Sequence, residues 1–501
     1  MVERVFLLEL SGPTIDFLRE RADRLPTFQR FLSAGAWSRM RGPLQPMAPC
    51  AFATLYTGKN PGRTGLFDFF KFPAGGYERI AYSTALLKHE PFYALLSRLG
   101  HRVGLMAVPL THPLPRVNGF VVSDDEGIGD DFATPPELRE RLQRDGYASA
   151  FGASYSPGRE LAFFRHAMDV IASRRRAMRH AFGNGDWRFG MFGVHSIGEL
   201  LHAFWKWYDP RHPQHVPLGA TWGDTDPLLE AMQAIDEMLA ETVDLTGPNG
   251  LVLVAGAWGH RLEHAKVHLN AALEQHGWLV YRSSARTRLK HAVFRLGVSP
   301  GHAERLAHRL NLYKLFHYKV ERGARSAVKG AAFLSYGDVD WSRTRAVAMG
   351  YHGQVYLNVR GHRPLGTIAP ADYDAERERL RELIAGLADP RTGTPLVDRV
   401  FTRDELYHGE ELTNAPDLVV HLREGYAGDS GISGGGRLVT DSPPNHSSDH
   451  WNQSALLVHG TNVRAGEIAA CLEDLAPTVL HALGVKAPGD YDGQVLPIFE
   501  S

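Results

Sequence analysis

The stretch Ala48-Pro49-Cys50-Ala51-Phe52-Ala53-Thr54-Leu55-Tyr56-Thr57-Gly58-Lys59-Asn60-Pro61-Gly62 decides how this 501-residue chain is read. Pro follows the opening residue, and a Thr-Gly-x-x-Pro turn closes the block. The opening residue is Ala48, whose methyl group carries no heteroatom to serve as a nucleophile or a ligand. Around this block, apolar runs bounded by Gly or Pro read as buried strands: Val5 to Leu10, Val103 to Val108, Phe189 to Val194, Leu251 to Ala255 and Ala455 to His459. Continuous apolar runs are what a parallel sheet covered on both faces requires. Helical patterns such as Glu160 to Phe182 and Pro227 to Leu245 lie between them. The alternation predicts an α/β fold, a doubly wound and mostly parallel sheet sandwiched by helices. Ligands of such sheets bind beyond the carboxyl ends of the strands.

The block resembles the nucleophile segment of the alkaline phosphatase superfamily, in the branch of type I phosphodiesterases and nucleotide pyrophosphatases. In that family a Thr or Ser stands where this chain has Ala48. The resemblance runs over nearly the whole chain and in the expected order. Val5 to Gly12 resembles the first strand and its turn. TGKNPGRTGLFDFF, from Thr57 to Phe70, is similar to the family's TGxNPGxHGxFDF run, with Thr64 where His is usual. Val108 to Pro113, Val117-Asn118-Gly119 and the histidine block His202 to Pro210 follow. Asp340 to Ala346, Ala415 to Leu418, Ala476-Pro477-Thr478 and Tyr491-Asp492-Gly493 complete the match.

What the resemblance implies is two-metal phosphoryl transfer, in which two divalent ions hold the phosphate and activate the nucleophile. Carried over residue by residue, most of the implied ligands are missing. The Asp after the first strand is Ser11, the nucleophile is Ala48, and the Asp-His pair after Leu251 to Val254 is Gly256-Ala257. Those four replacements erase one ion site. The other ion falls to Gly198, His202 and His450, where the expected Asp is Gly198 and both histidines are kept. The pocket is therefore expected to be lined by Ser11, Ala48, Cys50, Gly198, Glu199, Gly256 and Ala257, with His202 and His450 as residual metal ligands. Two neutral imidazoles leave the charge of a divalent ion without an offset, so any zinc or manganese is expected to be held weakly. Glu199 and Asp449 are the adjacent carboxylates able to complete the shell.

Other features compete for attention. Val122-Ser123-Asp124-Asp125-Glu126-Gly127 superficially resembles a metal-binding Ser-Asp-His-Gly, but it precedes the histidine block and reads as an exposed acidic turn. His260 and His264 have metal-ligand spacing for a helix; the plainer expectation is two polar histidines of a loop or helix start. His195 and His202, seven apart, share a face if that stretch is helical. Cys50 lies two residues after Ala48, yet a free Cys behaves as a small buried hydrophobe. Only Cys50 and Cys471 occur, which suggests no disulfide framework.

Net charge is −1, so the chain as a whole has no field to draw nucleic acid or an anionic membrane. No apolar run approaches the length of a membrane span, and the first residues carry no signal-peptide pattern, so the cytoplasm is the expected location. Residues 1–258 and 335–501 are assigned to the α/β core and 259–334 to a basic helical cap. Within the cap, Arg282 to Lys329 holds twelve Lys and Arg against Glu304 and Glu321. That run is either a solvated helix face or a recruiter of an anionic ligand. Gly428 to Ser442 reads as a flexible loop leading to His450. Three functions stay open: a non-hydrolytic binding protein, alone, as a homo-oligomer or paired with an intact homologue; an enzyme using His202 and His450 with one metal or none on an anionic small molecule; and a metal-dependent phosphodiesterase.

Overall fold

The computed structural model describes residues 2–124, 131–149, 151–295, 334–429, 431–432 and 436–499. A nine-stranded sheet runs in the order 466–467, 36–41, 453–460, 251–255, 5–9, 189–193, 103–108, 119–123, 133–134. Its centre is parallel: Val5–Glu9 pairs with both Phe189–Gly193 and Leu251–Ala255, and Val103–Val108 pairs with Phe189–Gly193. Gln453–Gly460 enters antiparallel between Leu251–Ala255 and Ala36–Arg41. The first strand shows why its apolar run is unbroken. Phe6 and Leu8 enter the core on one face, with Leu200, Leu239 and Phe163 of the helices there. Val5 and Leu7 enter the other, with Phe52, Phe92 and Leu475. Alternate side chains of a strand point to opposite faces, so a sheet covered twice needs both sets apolar. The α/β sandwich expected from the sequence is the observed fold.

The opening block forms the helix Ala48–Thr57, with Pro49 in its first turn. Gly58 ends it at φ 61°, in the left-handed region where glycine is favoured, and its N–H donates to Thr54 O at 2.9 Å. Asn60 then caps the short helix Pro61–Thr64 by accepting from Gly62 N. The carboxylate of Asp492 accepts from Asn60 N at 2.8 Å, and Asp492 N donates to Gly58 O at 2.9 Å. Thus two motifs from opposite parts of the chain lock one turn.

A second group of strands packs as its own core. Ala346–Ala348, Gln354–Leu357, Leu418–Leu422 and Val397–Thr402 form a four-stranded sheet, in that order. Residues expected to open a helical cap instead form the strand Gly259–Val267. Its cross-strand partners are Ser448–Trp451, Gly425–Gly428 and Val439–Asp441. Burial alternates from His260 through Arg261 to Leu262 and breaks at Glu263, where the register shifts, as a bulged strand allows. The helix Ala285–Arg295 begins the basic run, and residues 296–333 lie outside the described residues. Of the loop expected at Gly428 to Ser442, Val439–Asp441 is strand, and residues 430 and 433–435 lie outside the described residues.

Candidate metal centre

Three histidines meet beyond the strand ends. One ligand nitrogen each from His202, His260 and His450 lies within 4.8 Å of the others. His202 comes from the helix Ser196–Phe204, which starts just after the strand Phe189–Gly193. His260 and His450 stand directly opposite each other in the antiparallel pair of Gly259–Val267 and Ser448–Trp451. Opposed residues of a strand pair point to the same face, which places the two rings side by side. Ring centroids are 4.4 Å apart for His202–His260, 5.0 Å for His202–His450 and 5.3 Å for His260–His450.

The tautomers are fixed by the surroundings. His202 Nδ1 donates to Ser448 O at 2.7 Å, and His450 Nδ1 donates to Pro46 O at 3.1 Å. Ser448 Oγ donates to Leu201 O at 2.9 Å, which leaves it to accept from His260 Nδ1 at 2.8 Å. Each ring therefore carries its proton on Nδ1 and a lone pair on Nε2. His202 Nε2 and His450 Nε2 stand 3.2 Å apart, and His260 Nε2 is buried with no hydrogen-bond partner. Facing lone pairs at that distance repel unless a cation lies between them. Burial pushes all three imidazoles below their ordinary range, His450 down to about 3, so protonation is disfavoured as the remedy. Nitrogens of a tetrahedral zinc site, about 2.0–2.1 Å from the ion, stand about 3.3 Å apart. Second-partner hydrogen bonds of this kind also orient metal-binding histidines. The residues present fit one divalent ion.

His260 lies beside position 198, where the resemblance implies a carboxylate. A Cβ built on Gly198 would lie 3.9 Å from His260 Nε2 and 3.7 Å from Ser11 O. The imidazole thus approaches the space that an Asp at position 198 would use. His260 and His264 both lie in a strand and not at a loop or helix start. His260 joins the centre, whereas His264 turns to Tyr426, with ring centroids 5.2 Å apart. The two carboxylates expected to complete the shell do not join the cluster. Asp449 alternates with His450 along its strand and faces away, opposite Arg261. Glu199 is exposed.

The positions that the resemblance gives to the first ion are joined in a hydrogen-bonded network. Ser11 Oγ donates to the fully buried Glu9 carboxylate, and Ala257 N donates to Ser11 Oγ at 3.0 Å. His195 Nδ1 is 3.5 Å from Glu9 Oε2. His195 caps the start of the helix that carries His202 and turns into this network, so the two histidines do not share a face. A Cβ on Gly256 would lie 2.8 Å from Leu10 O, closer than real Cβ atoms come. Phe52 packs edge-on to Trp258 at 6.0 Å, and Trp258 stacks on His450 at 4.6 Å. Cys50 is fully buried, which pushes its thiol well above the ordinary range and leaves no thiolate nucleophile. Asp124 is not on an exposed turn: it ion-pairs with the buried Arg174, which needs a counter-charge, and lies 3.6 Å from His195 Nε2. Residues 125–130 of that segment lie outside the described residues.

These depressed imidazoles set a pH dependence for the metal-free protein. In the unfolded chain a histidine takes up its proton near pH 6.5; folded His450 resists until about 3. Between those values the unfolded state binds more protons, so stability falls as pH falls. Melting temperature is expected to drop from pH 6.5 towards pH 4, and His450→Ala should make that slope shallower. An unchanged slope in the variant would mean that His450 is protonated in the folded state.

The family model described as type I phosphodiesterase / nucleotide pyrophosphatase matches residues 5–450. The chain belongs to that family. No curated protein matches the sequence. Among solved structures, phosphonoacetate hydrolase from Sinorhizobium meliloti, in complex with phosphonoformate, is similar at a TM-score of 0.55 and 12% identity, over 96% of each chain. A mutant of alkaline phosphatase PafA is similar at a TM-score of 0.54 and 13% identity, over 100% of this chain and 99% of that one. At such identities the likeness establishes an alkaline phosphatase-like fold, and no more. Among the described residues, no helix is long and apolar enough to cross a membrane.

Proposed function

We propose that this protein is a one-metal member of the family, which binds a small anionic ligand at His202, His260 and His450 and does not carry out covalent phosphoryl transfer. The observation that carries this reading is the set of three Nδ1-protonated imidazoles around one point, with His260 Nε2 buried and unpartnered. A divalent ion bound there supplies Lewis-acid polarisation and neutralises an oxyanion.

The chain's own residues supply the rest. Pro46 anchors His450 just before the helix Ala48–Thr57 opens, and no side chain caps that helix. Its amino end therefore favours negative charge next to the centre. Ala48 offers a methyl group at the place where a covalent intermediate would form. Trp258 shields one face of His450 from water. The net charge of −1 suits a small anion better than a polyanion. Zinc or manganese loading followed by elemental analysis is expected to give one ion per chain. Two ions, or none, would overturn the reading.

A further inference from the structure

Of the three imidazoles of the centre, His260 is buried, and the His450 ring is stacked by both Trp258 and His352, at 4.6 and 6.3 Å between centroids. His202 is partly exposed and has a further imidazole beside it: the His446 ring lies 4.9 Å away, tilted by 52°. The chain fixes His446 there. A turn from Pro443 is closed by His446 N, which donates to Pro443 O at 2.9 Å. The next residue, Ser447, is bound to the helix of His202. Its N–H and its Oγ both donate to His202 O, at 2.6 and 2.9 Å.

The other side of the His446 ring meets a carboxylate. Nδ1 stands 3.9 Å from Oε2 of Glu263, just beyond hydrogen-bond reach. Glu263 is fully buried. Its Oε1 is engaged by Lys266 Nζ at 2.7 Å and by Ser442 Oγ at 2.5 Å. Oε2 is buried without a hydrogen-bond partner, and so is His446 Nδ1. Leaving either atom unmet is costly, and the two match as acceptor and donor once the ring carries its proton on Nδ1. The His446 side chain is 33% exposed although Nδ1 is buried, so the ring turns its other edge outward. That edge carries Nε2, which then bears a lone pair.

We propose that Glu263 and His446 form a recognition dyad at the rim of the centre, in which Glu263 holds the Nδ1 proton and His446 Nε2 accepts a hydrogen bond from an O–H of the bound anion. Glu263 acts as a positioning residue and His446 as the group that touches the ligand. The inference rests on the one-metal reading for the place of the anion. Its consequence is selectivity. A lone pair welcomes an oxyanion that carries a proton and repels one of the same shape that carries none. Hydrogen phosphate and sulfate are such a pair near neutral pH.

Titration calorimetry on the zinc-loaded protein, with inorganic phosphate and sulfate as probes, measures that selectivity. Zinc by itself favours the more basic phosphate, so the change in the ratio between variants is the measure. His446→Leu is expected to lower phosphate affinity about tenfold or more, the scale of a lost hydrogen bond to a charged group, with sulfate affinity not reduced and zinc stoichiometry unchanged. His446→Gln places an amide oxygen near the position of Nε2. It should recover part of the loss, and it carries the test if the Leu variant does not fold. A phosphate-to-sulfate ratio equal in native and both variants overturns the selection. Nitrogen NMR of the metal-free protein with labelled histidine, assigned by comparison with His446→Gln, reads the dyad without any ion. His446 is expected as its Nδ1–H tautomer, and the Nε2–H tautomer overturns the dyad. Absence of zinc binding with the Nδ1–H tautomer intact overturns the one-metal reading instead.

Discussion

Replacing His260 by alanine is expected to weaken zinc binding by about a hundredfold or more, since even the hydrogen-bonding partners of metal histidines are worth tenfold to a hundredfold. His260 supplies the third imidazole of the centre and the only one of the three that is fully buried. Removing it leaves His202 and His450 as the remaining pair of the cluster. The same experiment has a rescue. Gly198→Asp in the His260→Ala background is expected to recover much of the lost affinity. A Cβ at position 198 meets nothing nearer than Ser11 O at 3.7 Å, so the side chain can be built without moving the backbone. Position 198 lies in the first turn of the helix Ser196–Phe204, where a carboxylate is also favoured by the helix dipole. Titration of the native chain, the single variant and the double variant with zinc would decide it. Equal affinities in native and His260→Ala would show that the buried imidazole is structural.

That prediction rests on a residue the sequence offered but did not single out. His202 and His450 were legible because each follows a recognisable block, and the blocks fix the backbone path. The same blocks fix where Ser11, Ala48, Gly256 and Ala257 stand in the chain. His260 was not, because its role depends on register across two strands distant in sequence. The spacing of His260 and His264 suggested helix geometry, yet strand alternation and the shift in register between Glu263 and Ala265 send them to different neighbours. Asp449 illustrates the converse. Adjacency to His450 made it a candidate ligand, and in a strand adjacency means the opposite face. The sheet's apolar runs and the Gly58 and Asn60 turn signals are local properties, so they were readable; the network joining Glu9, Ser11 and Ala257 is tertiary and was not.

Restoring the nucleophile is expected to restore nothing. Ala48→Thr should hydrolyse a bis-aryl phosphate no faster than a control without enzyme, with or without added zinc. A threonine hydroxyl needs an ion to lower its pKa, and the positions the resemblance gives to that ion's ligands hold Ser11, Gly256 and Ala257. Rebuilding them fails for a reason visible in the backbone. Gly256→Asp would push a Cβ to 2.8 Å from Leu10 O and 3.1 Å from Trp258 O, and both contacts are backbone atoms that cannot rotate away. Overpacking of this kind costs about 1–3 kcal/mol, and an unpaired buried carboxylate adds to it. Glu9 compounds the problem. Its fully buried carboxylate already engages Ser11 and Ala257 N, and burial raises its pKa against the opposing pull of His195. A second acid at position 11 or 256 would meet that charge in a medium of low dielectric. The chain carrying Ser11→Asp, Ala48→Thr, Gly256→Asp and Ala257→His together is therefore expected to melt well below the native protein and to stay inactive. Its melting curve and its turnover of the aryl phosphate measure the two effects separately. Metal-dependent turnover in Ala48→Thr alone, abolished by a chelator, would show that the first ion site survives in a form this geometry does not contain.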